Sequence, residues 1–144
     1  MREILFIGKR KDNGEWVEGF YHYTNWINPI TKELVKTTYS ILPIGGQDAY
    51  EVIPETVGQF TGLPDKKGKK IFTGHVVKVD GFMCTVNGLY QVIYDEINHC
   101  YALERDADYH HHYFTYSELN GFHETSEVIG NIHDNPELLK GGAE

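Results

Sequence analysis

Cysteine is almost absent from this chain: Cys84 and Cys100 are the only two. That is too few for the disulfide framework of a small secreted domain, so both are expected as reduced thiols packed as small hydrophobes. Long hydrophobic runs are missing as well. The run from Val86 to Tyr94 is interrupted by Asn87, Gly88 and Gln91, well short of the roughly 20 apolar residues that cross a bilayer. Met1 is followed by Arg2, Glu3 and an alternating segment, not by the apolar stretch and small-residue cleavage site of a secretory signal. No export and no membrane anchor are therefore expected, and the expected location is the cytoplasm. Basic residues are scarce in the second part of the chain. Residues 1–79 carry 11 Lys+Arg and 9 Asp+Glu, residues 80–144 carry 2 and 12, so the two parts stand near +2 and −10. The acidic part repels phosphate backbones, which confines any nucleic-acid contact to the first part. Gly-x-Ser-x-Gly, the dinucleotide fingerprint and His-Glu-x-x-His are all lacking, and an enzyme is not expected.

What is present is β-forming sequence. The chain has 144 residues, 40% of them hydrophobic, enough to bury a core as one unit or two small ones without a metal or cofactor. Residues 2–11 and 15–23 are rich in Ile, Phe, Trp, Val and Tyr and flank Asp12-Asn13-Gly14, which predicts a hairpin whose turn uses the positive φ open to Gly14. In the second run Trp16, Phe20 and His22 alternate with Val17, Tyr21 and Tyr23, a pattern that predicts cover on both faces. Asn28-Pro29 breaks the chain, and strands are predicted over 34–44, 57–61, 70–79, 82–86 and 89–94, with tight turns at Asp80-Gly81 and Asn87-Gly88. Short strands separated by regular turn signals indicate a small barrel or sandwich. Asn135-Pro136-Glu137 carries the cap, first-turn proline and acidic start of a short helix, Ser117 to Asn120 suggests one further helical turn, and 141–144 reads as a frayed tail.

Four clusters bear on chemistry. His110-His111-His112 lies near His99 and Cys100, residue types that zinc prefers, but without the paired spacing of a zinc site. A polar loop or exposed edge is the expected role, with no metal. Cys100 beside His99 is not placed for a thiolate dyad, because neighbours on a strand point to opposite faces. Glu104, Asp106 and Asp108 alternate, yet Tyr109 and Thr115 stand where a calcium loop needs Gly and Glu. Lys66, Lys67, Lys69 and Lys70 surround Gly68, with Leu63 in place of the first glycine of a phosphate loop. They are expected to decorate a solvated turn, and together with Lys9, Arg10 and Lys11 they form the candidate nucleic-acid surface. Tyr109, Tyr113, Phe114 and Tyr116 gather around the histidines and form the candidate partner-binding surface, since aromatics anchor interfaces.

Three stretches, REILFIGKRKDNGEWVEGFY at 2–21, PETVGQFTGLPDKKGKKIFTGHVVKV at 54–79 and EVIGNIHDNPELL at 127–139, resemble the YopX family, small proteins of temperate phages and prophages of Gram-positive bacteria. The resemblance implies an all-β fold whose C-terminal part is a small SH3-like barrel, with Ile71 to Val79 as a barrel strand; combined with the turn and capping signals, this divides the chain into an N-terminal β hairpin or sheet over 1–53 and a barrel with a short C-terminal helix over 54–144. It implies no established activity. After Gly74 the family commonly has an acidic residue, where this chain has His75. Gly74 is read as a backbone kink and its polar neighbour as a partner for local backbone groups; Gly14, Gly74 and Gly88 are the glycines assigned structural roles.

The expected function is a non-catalytic module that binds a host or phage protein. A nucleic-acid-associated regulator using the basic turns is the alternative, and a metal-dependent hydrolase using His110, His112 and Asp108 ranks behind both. Self-association is a separate expectation, because short strands leave edges that must be covered.

Overall fold

The structure, a computed structural model, describes residues 3–80, 88–104, 111–114 (backbone only) and 125–138. The predicted strand at 82–86, the helical turn at 117–120 and the tail lie outside the described residues. The elements are β1 (Phe6–Arg10), β2 (Trp16–Ile27), β3 (Leu34–Pro43), β4 (Tyr50–Pro64), β5 (Lys70–Phe72), β6 (His75–Val79), β7 (Gly88–Asp95), β8 (Cys100–Glu104), β9 (His111–Phe114) and β10 (Ser126–Asn131). The predicted C-terminal helix is a single 3-10 turn over Pro136–Leu138. The protein is thus all-β, and among the described residues no helix is long and apolar enough to cross a membrane. Packing divides the chain into Met1–Gln59 and Phe60–Glu144, with the break inside β4.

In the first unit β1 pairs with β2, β2 with β3, β3 with β4, and β4 returns to β1, all antiparallel. This ring of pairings is a small closed barrel, and it lies in the N-terminal unit, where the strand and turn pattern predicts a hairpin or sheet. Gly14, at φ 74°, turns the chain from β1 into β2, and its amide donates to the Arg10 carbonyl at 3.0 Å. Closure demands a close approach at Gly19, which pairs with Phe6 on one side and Pro43 on the other. A Cβ there would lie 2.0 Å from the Leu42 carbonyl oxygen. Where β1 meets β4 the register shifts between Ile7 and Lys9, because Pro54 has no amide for the ladder. Thr56 fills the gap: its hydroxyl accepts the Lys9 amide at 2.9 Å and donates to the Ile53 carbonyl at 2.6 Å. Leu5, Ile41 and Val52 are buried beneath.

In the second unit the end of β4 pairs with β5, and a five-stranded antiparallel sheet runs in the order β10-β6-β7-β8-β9. Register brings Val128, Val77 and Tyr90 into line, and Val92 opposite Leu103. With Ile71, Val79 and Tyr101 they make the core of this unit, the burial expected of β-branched and aromatic side chains alternating on one face. The single strand predicted over 70–79 is in fact two, because Gly74 takes φ 91° and turns the chain between β5 and β6. Its amide donates to the Val92 carbonyl and its carbonyl accepts the Ile132 amide, each at 2.9 Å.

Candidate functional site

The most distinctive segment, 61–75, is organised by one carboxylate that residue-by-residue reading passed over. Asp65 Oδ1 accepts the amides of Lys67 and Lys69, both at 2.9 Å, and Oδ2 accepts the Val128 amide at 2.8 Å. One side chain thereby shapes the lysine loop and ties it to β10. Burial alone pushes this carboxyl up, but the three amides and the Lys69 charge outweigh it and hold Asp65 below its ordinary range. The signal was available in Pro64-Asp65-x-x-Gly68, an acidic turn-opener followed by a turn glycine; Gly68 has φ 86°.

His75 is buried, and its Nδ1 accepts the Phe72 amide at 3.1 Å. A carboxylate could fill the same acceptor role, which gives a structural account of an acidic residue being exchanged for histidine here. Desolvation, reinforced by the Lys69 charge and opposed by Asp65, pushes the imidazole down to about 4, so it is neutral at physiological pH.

The basic turns are largely neutralised by their own neighbours. Arg10 forms a two-point pair with Asp12, at 2.9 and 2.6 Å, and its guanidinium lies 3.8 Å from the centroid of the Tyr50 ring. Lys11 Nζ meets Glu51 at 2.9 Å. Glu127 takes Lys67 at 2.8 Å and Lys66 at 3.9 Å, and the hydrogen bond to Glu127 raises the Lys67 pKa.

Of the predicted aromatic surface, Tyr109 and Tyr116 lie outside the described residues. Tyr113 and Phe114 stand on β9, the edge strand beyond β8, opposite Ala102 and Tyr101. His110, Asp106 and Asp108 are also outside the described residues. Among the described residues, no three His, Cys, Asp or Glu side chains are grouped to hold a metal ion. His99 is exposed in the turn before β8, with φ 55°. Cys100 is half-buried on that strand.

The surface that sequence reasoning missed is the outer part of the β2–β3 ribbon. Beyond Gly19, β2 pairs only with β3 among the described residues, from Phe20↔Leu42 to Ile27↔Leu34. The predicted cover on both faces holds only near the start of β2, where Trp16, Val17 and Tyr21 are half-buried; Phe20 and every residue from His22 to Ile27 are exposed, because the barrel ends while the strand continues. Phe20, Tyr23, Trp26, Ile27, Leu34 and Val35 are each more than half exposed, and Ile30 at the tip is 88% exposed. Cross-strand contacts nevertheless hold the ribbon in shape. Tyr39 stacks on Tyr21 at 6.3 Å between centroids and tilts against Tyr23 at 6.4 Å. The Trp26 indole donates to the Thr38 hydroxyl at 3.1 Å, and the Thr37 hydroxyl donates to Asn25 at 2.8 Å. At the tip Asn28 Oδ1 accepts the amides of Ile30 and Thr31. The result is an ordered apolar surface, chemically suited to binding protein.

A family model described as YopX protein matches residues 6–140. No curated protein matches the chain. A crystal structure of protein EF1440 from Enterococcus faecalis is similar, at 20% sequence identity over 97% of this chain and 100% of that one, with a TM-score of 0.48.

Proposed function

The chain belongs to the YopX protein family, and from that premise we propose that it is a non-catalytic module of phage or prophage origin that binds protein through the β2–β3 ribbon. The observation carrying this reading is the exposure of Phe20, Tyr23, Trp26, Ile27, Ile30, Leu34 and Val35 on one projecting element. Large apolar patches are uncommon on monomeric surfaces and mark binding sites, and ordered aromatics anchor such sites at low entropic cost. The partner is a host or phage protein that offers apolar surface. The ribbon carries little charge of its own: within 20–39 only Lys32, Glu33 and Lys36 are charged.

The test is capture of partners from host lysate by tagged, full-length protein, with and without nuclease, comparing wild type with Tyr23→Ser/Trp26→Ser and with Tyr113→Ala/Phe114→Ala. Loss of a nuclease-resistant partner in the first variant alone supports the ribbon. Loss in the second alone moves the surface to β9, and a catch that vanishes with nuclease replaces this reading with a nucleic-acid one.

A further inference from the structure

The ribbon presents backbone as well as side chains. On the outer edge of β2 the pairing with β1 stops at Phe6↔Gly19, and among the described residues no strand takes up the edge from Phe20 to Ile27. Natural edge strands are blunted by lysine, proline, inward charge or strong bulges, since a bare edge templates pairing. This one reads Phe-Tyr-His-Tyr-Thr-Asn-Trp-Ile, without a Lys, Arg, Asp, Glu or Pro, and its one irregularity is the register shift at Trp26/Ile27. The opposite edge of the ribbon, Leu34 to Tyr39, carries Lys36.

We propose that this edge is a dimerisation strand, and that two copies of the chain pair antiparallel through Phe20–Ile27 about a two-fold axis beside Tyr23 and Thr24. The inference rests on the reading of the ribbon as an interaction surface and names an occupant for its edge.

Several observations favour a second copy over other occupants. A lipid surface offers nothing to the unpaired amides and carbonyls of an edge, which water or another strand must satisfy. A nucleic acid would find no cation along these residues. A strand edge, by contrast, is complementary to itself under a two-fold axis perpendicular to the sheet, the isologous arrangement of most homodimers. The absence of charge matters here, because two chains of net charge −8 meet with least repulsion along a neutral strand. Pairing at this edge also brings the exposed Phe20, Tyr23, Trp26 and Ile27 of one copy beside those of the other, covering apolar surface that a single ribbon leaves bare.

The axis supplies the test. Whether Tyr23 or Thr24 lies on it, the two copies of residue 24 are at most diagonal neighbours, about 7–8 Å apart, within reach of long side chains. Thr24 is exposed and faces Thr38, so a charged residue there leaves the barrel intact, as an unchanged melting temperature of the monomer would show. Full-length wild type, Thr24→Lys, Thr24→Glu and an equimolar mixture of the two variants are compared by sedimentation across a concentration series. The expected result is a dimeric wild type, each variant weakened roughly 100-fold or more by like charges meeting at the axis, and a dimer restored in the mixture. A monomeric wild type, a dimer indifferent to either charge, or a mixture that stays monomeric overturns the proposal. If wild type is monomeric yet Tyr23→Ser/Trp26→Ser still loses its captured partner, self-pairing fails while the protein-binding reading stands. If dimerisation follows the charge at residue 24 and partner capture ignores the ribbon, the reverse holds.

Discussion

His75 and Asp65 show how much one polar side chain does inside a small β unit. His75 is held neutral, with its pKa pushed from 6.5 to about 4. The native state therefore resists a proton that the unfolded chain accepts. Its contribution is fully present above pH 6.5 and is lost as pH falls through the window from 6.5 to 4, by up to about 3 kcal/mol. His75→Asn keeps an acceptor for the Phe72 amide and removes the titration. Its urea midpoint should change less between pH 7 and 4 than that of wild type, and parallel curves would contradict the assignment. Asp65 acts lower on the scale: because its pKa lies below the ordinary 3.8, its contribution survives until pH falls below that value. Asp65→Ala strands the Val128 amide and frees the lysine loop, at a cost of about 3 kcal/mol at neutral pH, measurable by urea denaturation.

At the scale of elements, two glycines are required for different reasons. Gly19 is a matter of packing: three strands converge on it, and a methyl group would overlap the backbone of β3. Gly74 is a matter of conformation, since at φ 91° only the His133 ring lies near its absent Cβ, at 3.9 Å. Gly74→Ala should cost about 1–2 kcal/mol, the penalty of a left-handed residue. Gly19→Ala should exceed about 3 kcal/mol, because backbone must move. Thermal melts of the pair would show this order, and a reversed order would contradict both accounts. The β1–β2 hairpin, the strand at β3 and the breaks at Asn28-Pro29 and Gly68 were legible because turn chemistry is local. The division of 70–79 into β5 and β6 was not, because a β-branched run looks the same whether or not one glycine within it turns left-handed.

For the whole molecule, charge balance is a better guide to association than the count of lysines. Arg10, Lys11 and Lys67 each face a carboxylate of the same chain. Releasing counterions from DNA would require these pairs to open. Binding to duplex DNA, measured across a salt series, should therefore show a log–log slope of magnitude below about 2, whereas full use of both basic turns would drive it toward about 6. A steep slope would restore the basic turns as the working surface.

Composition and local pattern were sufficient to determine that the chain is all-β, where several of its strands turn, and to which family it belongs, because strand propensity, turn residues and short motifs act over a few residues. Only the tertiary structure decided which pairings close. It placed the closed barrel in the first unit, spent Asp65 and Glu127 on the lysine loop, and let β2 run on past the barrel with its aromatic residues exposed. Phe20, Tyr23 and Trp26 have the composition of a core, and alternation cannot distinguish a covered face from a bare one. What covers a strand is set by residues distant in sequence, and it is this long-range geometry that left an apparent core strand with its apolar side chains exposed.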